Sequence, residues 1–317
     1  MSGAGRRVIV TRMRQAVILF AIVAVTASTR GQSEPEAISL SGKPLFAPEL
    51  TAEQRTRLEA NLDKARADLA NSPDSVDAAI WVGRRLAYLG RFREAIEAFS
   101  RAVASHPDVA RLYRHRGHRY ITVRKFDEAI ADLTRASRLV RGTPDEIEPD
   151  GAPNPTGVPR STLQSNIWYH LGLAHYLKGD FAAALDAYRE GMKASQVNDD
   201  MLVATTDWLY MTLRRLHRDD EARKALEPIR EKMDILENSA YHARLLMYKG
   251  LKSPESVLNL NTADDVQIAT QGYGVGNWYL LNGDRAKARE VFERVVSGRA
   301  WPAFGFIAAE ADLKRGF

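Results

Sequence analysis

Residues 83–102 read GRRLAYLGRFREAIEAFSRA, and thirty-four positions later residues 117–136 read GHRYITVRKFDEAIADLTRA. Both stretches open on Gly (Gly83, Gly117) and place Ala twelve residues on (Ala95, Ala129). Both set a large apolar residue four beyond that (Phe99, Leu133) and Ala three further (Ala102, Ala136). The same spacing returns at Gly172, Ala184, Tyr188 and Gly191, and at Gly276, Ala288, Phe292 and Val295. Between Gly and Ala lies a turn: GRF at 90–92, RKF at 124–126, GDF at 179–181 and GDR at 283–285. Self-similarity at a fixed period marks stacked copies of one supersecondary unit.

The unit is a helix pair. Apolar residues three and four apart define each helix, and the turn residues separate the two. Gly on the first helix and Ala on the second remove bulk where the helices cross, and the large residue one turn on fills the space beside the contact. One such hairpin cannot bury its apolar faces alone, so the units stack into a superhelical array with a concave surface.

The period organises the remaining chain. From Ala129 to Ala184 is one period plus 21 residues, which places an insertion at 141–163. There Pro144, Pro149, Pro153, Pro155 and Pro159, with Gly142, Gly151 and Gly157, exclude regular helix. Its acids Asp145, Glu146, Glu148 and Asp150 lack the spacing of a helix–loop–helix calcium site, so a solvated loop is expected. Repeats are predicted over 76–109, 110–141, 165–198, 203–236 and 269–300, with a degenerate unit over 237–268 whose Ser256 falls near the Ala position. In the unit around Ala222, Tyr210 stands where Gly should be. Thr51 to Gln54 have the form of a capping box opening a helix striped by Leu58, Leu62, Ala65 and Leu69. Trp301-Pro302 leads into a last helix, 302–315, expected to cover the open end of the stack. The solenoid thus spans 51–317, and 32–50 reads as an extended or disordered linker.

These residues resemble the tetratricopeptide repeat family: the period, the small-residue pairs (Gly83/Ala95, Gly117/Ala129, Gly172/Ala184, Gly276/Ala288) and a Pro at a repeat end, Pro107. The resemblance implies an all-α solenoid that binds other proteins. It also implies that inward positions of each first helix line a groove: Arg84, Tyr88, Arg111, Arg114, His118, Tyr169, Tyr176, Asp207, Met211, Arg214, Arg215, Tyr273 and Asn277. The family's chaperone-tail binders use Lys and Asn at particular groove positions, where Ile80 and Arg84 stand here, so that specific activity is not expected.

The first thirty residues account for the net charge. The chain has 45 Lys plus Arg against 40 Asp plus Glu, a formal +5. Arg6, Arg7, Arg12, Arg14 and Arg30 lie before Gln32 with no acid among them, so the remainder balances. An excess of Lys and Arg for phosphate neutralisation is therefore missing from the body, and nucleic acid is not an expected partner. The basic start, the apolar run Ala16 to Ala27 (AVILFAIVAVTA) and the small residues after it have the layout of a secretory signal peptide, residues 1–31. The run falls short of the ~20 residues needed to cross a bilayer. The expected location is periplasmic or secreted, with anchorage by 16–27 as the alternative if cleavage does not occur.

No catalytic frame stands out. Zero Cys excludes thiolate metal sites, cysteine catalysis and disulfides. His115 and His118, and His170 and His175, lack a third ligand and read as packing or surface residues. Asp199-Asp200, Asp219-Asp220 and Asp264-Asp265 fall at helix starts and read as caps. Gly272-Tyr-Gly-Val-Gly276 mimics a phosphate loop but lies inside a helical repeat without a preceding strand, where packing glycines are the better reading. No cofactor or metal is expected. The function implied is a protein-interaction scaffold outside the cytoplasm that takes a peptide or partner helix in the groove, an acidic one suiting the basic stripe. Arg84, Arg111 and Arg114 would orient it, and Tyr169, Tyr176 and Tyr273 would supply buried area. Two alternatives stand beside this: binding through the convex face or the 141–163 loop, and a carbohydrate-binding or enzymatic role using Trp168, Trp208, Trp278 or Trp301.

Overall fold

The recurrent glycines sit where paired helices touch. In the computed structural model a Cβ built on Gly83 would come within 2.4 Å of the Phe99 ring, and one on Gly276 within 2.5 Å of Phe292. Gly117 faces Leu133 and Gly172 faces Tyr188 in the same way. The large residue therefore fills the space of the missing Cβ itself, a closer fit than packing beside the crossing. Ala95, Ala129, Ala184 and Ala288 are fully buried at the same joints.

The structure describes residue 1 and residues 34–149, 154 and 156–317. The leader expected over 1–31, and Asp150, Gly151, Pro153 and Pro155 of the insertion, lie outside the described residues. The described body, Glu34–Phe317, forms one unit. After α1 (Ala52–Asn71), capped as expected by Thr51 and Gln54, come the pairs α2 (Val76–Tyr88) and α3 (Phe92–Ser105), α4 (Ala110–Thr122) and α5 (Phe126–Leu139), and α6 (Leu163–Lys178) and α7 (Phe181–Ala194). The fourth pair is α8 (Asp199–Arg215) with a short α9 (Asp219–Ala225). Pro228 follows closely on the end of α9, and Leu226, one turn past Ala222, is still buried in the core, while the Tyr210 ring stacks on Tyr248 at 4.4 Å. The degenerate unit is α10 (Ser239–Tyr248) plus the single turn α11 (Pro254–Val257). Then follow α12 (Asp265–Leu281), α13 (Arg285–Val296) and α14 (Phe304–Arg315). The fold is an all-α solenoid. All three glycines of the 272–276 run pack against side chains, of Val295, Arg244 and Phe292, so no phosphate loop exists there.

Two terminal expectations change. Helix α14 does not simply lid the end of the stack. It packs on α12 and α13 and reaches α6, lying along the inner face of the array. Ile307, Ala308, Ala309 and Ala311 are buried in the same core as α2, α6 and α8. Residues 37–45 are an ordered hairpin, β1 (Ala37–Ile38) antiparallel to β2 (Pro44–Leu45), turned at Gly42 with φ 87°. The Leu40 amide donates to Glu310 Oε1 at 2.8 Å, and Trp301 Nε1 donates to the Phe46 carbonyl at 2.7 Å. The hairpin is thereby fixed to the last helix.

Candidate functional site

The inner face is built by α4, α6, α8 and α12, and most of its polar side chains are already engaged. At its first end the basic stripe meets the insertion. Arg111 pairs with Asp77 at 2.6 Å and with Glu146 at 3.6 Å. Arg114 pairs with Glu148 at 2.8 Å, and Arg84 donates to the Pro149 carbonyl at 2.7 Å. Asn166 also binds the Glu148 carboxylate. The Glu148 amide donates to the Ser161 carbonyl, and the Leu163 amide to the Glu146 carbonyl, so 146–149 lies extended beside 161–163. The expected solvated loop is thus partly a strap. Its Glu148 is buried, Glu146 and Glu148 pair with arginines, and Asp145 accepts from the Glu146 and Gln164 amides.

At the other end, α14 covers the groove. Asp312, fully buried, accepts from Tyr273 Oη at 2.9 Å and pairs with Arg215. With the Tyr273 proton on Asp312, the Tyr176 hydroxyl donates to Tyr273 Oη at 2.7 Å, and Arg215 Nε donates to Asn277 Oδ1 at 3.2 Å. Tyr176, Tyr273 and Asn277 therefore serve the last helix and are closed to a partner in this conformation. Asp207 and Met211 are buried as well, Asp207 in a two-pronged pair with Arg244 at 3.0 and 2.7 Å. Arg214 turns away to the Leu281 carbonyl and to Asp219, joining helices outside the groove. For Tyr176, Tyr273 and Asn277 the cause is the last helix, which occupies the space they face, whereas Asp207 and Arg214 are taken up by other repeats.

Between strap and α14 a cleft of about 260 Å³ remains, lined among others by Arg114, His118, Tyr169, His170, Tyr241 and Phe304. His118 and His170 rings lie 4.4 Å apart, and Phe304 stands against His118 at 5.2 Å. Tyr169 accepts from Trp208 Nε1 at 2.9 Å and bonds Tyr241 Oη. Burial, and then the fields of Arg114 and Arg119, hold His118 and His170 well below the usual imidazole range, so both are neutral at pH 7. Arg84, Tyr88, Arg111, Arg114, His118 and Tyr169 are thus brought together at one end of the face. Of the candidate tryptophans, Trp208 and Trp301 are buried, and Trp168 and Trp278 pack against the core.

Sequence reasoning missed Arg124. It is buried, with Nε on Glu310 at 3.0 Å and its other nitrogens on the Thr122 and Trp301 carbonyls at 2.6 and 3.1 Å. Its backbone φ is 65°, at the turn position occupied by Gly90, Gly179 and Gly283 in other repeats. A non-Gly residue at a recurrent Gly position was the available signal.

Residues 83–136 and 163–197 match the family model described as tetratricopeptide repeat. Over those residues the chain carries tetratricopeptide repeats, and the match falls on the first three of the units that share the Gly, Ala and large-residue spacing. Proteins of this kind serve as interaction scaffolds. Among solved structures it is similar to YrrB, a TPR protein with an unusual peptide-binding site, at 14% identity over 74% of this chain and 92% of that one, TM-score 0.42. It is also similar to pilF of Pseudomonas aeruginosa, at 15% over 77% and 86%, TM-score 0.44. A third is BtubC from P. vanneervenii, at 16% over 79% and 92%, TM-score 0.46. At such identities the likeness concerns fold alone. No curated protein matches the chain.

Proposed function

We propose that the protein is an interaction scaffold acting outside the cytoplasm, and that it receives a short segment of a protein partner in the cleft between strap and last helix. The cleft carries this reading. It joins Arg114, His118 and Tyr169, expected from sequence to face a partner, with Glu237, Asn238 and Tyr241 opposite. A space of about 260 Å³ admits one or two side chains, not a whole helix, so a bound segment would be anchored by few residues. The basic-then-apolar first 31 residues support the location. One observation favours a second reading, docking on the insertion: Ile147 and Val158 expose 64% and 53% of their surface there.

A photo-crosslinking amino acid placed at Tyr241 or at Ile147 in living cells separates the two. The cleft reading predicts a discrete adduct from position 241. Adducts from 147 alone would transfer the site to the loop. Amino-terminal sequencing of the protein recovered from the envelope fraction tests export, with a start after residue 27 or 31 expected.

A further inference from the structure

We infer that the small cavity between α2 and α4 binds a divalent tetrahedral oxyanion of the phosphate or sulfate class, held by Arg84, Arg114 and Arg119. Helices α2 and α4 put three guanidinium side chains around a cavity of about 140 Å³ floored by Phe99. Only one carboxylate among the described residues answers them: Glu148 on Arg114. Arg84 finds neutral groups, the Pro149 carbonyl and, at 3.3 Å, Tyr88 Oη. Arg119 has no acid and no hydrogen bond to its side chain among the described residues, only the Phe92 ring 5.8 Å away. Arg114 Nε is buried without a partner. Among the described residues, three positive charges face one negative, a surplus of two.

Arg84 and Arg119 keep part of their surface in solvent, but the buried Arg114 Nε has no partner, and an uncompensated buried guanidinium is strongly unfavourable. The deficit shows in Arg119, whose pKa falls to about 9, first through burial and then through Arg114. A dianion removes the surplus, whereas a single carboxylate leaves half of it. Several oxygens on one centre also suit converging guanidinium forks, which bind oxyanions in two-pronged fashion. Size sets the upper limit. Pockets for organic ligands run from roughly 300 Å³ upward, so a nucleotide or sugar does not fit, while a single ion does. Neutral His118 on the wall can donate a further hydrogen bond without adding charge, whereas His115 has Nδ1 on Arg114 and Nε2 facing Glu148.

This goes beyond the partner-binding reading, and the two fail separately. The full chain is titrated calorimetrically with inorganic phosphate, sulfate and, at matched ionic strength, chloride, and with O-phosphoserine as a phosphoryl group on a larger body. Phosphate and sulfate are expected to bind and chloride not. Uptake of O-phosphoserine as well assigns the site to a group carried by a larger molecule, and its exclusion assigns a free ion. Arg119→Gln is expected to weaken phosphate about tenfold or more. Glu148→Gln is expected to tighten it, because the surplus rises to three. Arg111→Gln, outside the cavity and paired with Asp77, should change little. Opposite responses at 119 and 148 are not what a folding defect produces. Phosphate binding no better than chloride, or equal binding by the wild type, Arg119→Gln and Glu148→Gln, overturns the site. Cross-linking at Tyr241 by Arg119→Gln is expected to persist, which keeps the partner reading independent.

Discussion

Arg124 holds a left-handed backbone that glycine takes freely, at a cost of about 1–2 kcal/mol. Its guanidinium offsets this by tying the α4–α5 turn to Glu310 and the Trp301 carbonyl. Arg124→Gly should relieve the backbone yet still destabilise, because Glu310 is then left buried without its cation. Arg124→Gly with Glu310→Gln should recover much of the loss. Denaturant unfolding of these two variants and the wild type tests this, and a Gly variant as stable as wild type contradicts the clamp. At Gly83 the argument is purely steric. Gly83→Ala drives a methyl into the Phe99 ring and should cost about 1–3 kcal/mol, with Phe99→Leu in the same chain restoring part. Such joints were legible in the sequence, because a missing Cβ opposite a large side chain recurs at fixed spacing. Arg124 was visible at a Gly position, but its partner lies 186 residues away and leaves no local mark.

Among elements, the strap and α14 decide which inward positions stay open and which are covered. Position on the first helices put Arg84, Arg111, Arg114, His118 and Tyr169 on the inner face. What covers that face depends on superhelical curvature, which no single period encodes. Glu146 and Glu148 read as solvated because the insertion's composition carries no information about the arginines it meets. Replacing Glu146 and Glu148 together with Gln should release the strap, seen as faster proteolysis within 141–163 while helices stay protected. Unchanged cleavage there contradicts the pairing as what holds it. The short α9 was readable from Pro228, which bars helix continuation soon after Ala222.

For the whole molecule, one core runs from the amino-terminal hairpin through the repeats to α14, and its titration behaviour follows from the histidines. Burial, followed by nearby arginines, holds His115, His118 and His170 well below the ordinary imidazole pKa. The folded state thus refuses protons that the unfolded chain accepts below about pH 6.5. Stability contributed by the neutral rings is complete above that pH and lost as pH falls below it, before carboxylates titrate. The thermal midpoint should therefore drop between about pH 6.5 and 5, and less so in His118→Phe.

The central claim is that the last helix fills much of the protein's own inner face, and that the cleft beside the strap is what it leaves for the proposed partner. Hydrogen exchange on the full chain, read by mass spectrometry, tests it most directly. The account predicts that amides of Ile307 to Leu313 are protected to the level of α12, which they cover. Exchange of those amides at the rate of an unfolded peptide, with α12 still protected, would contradict it.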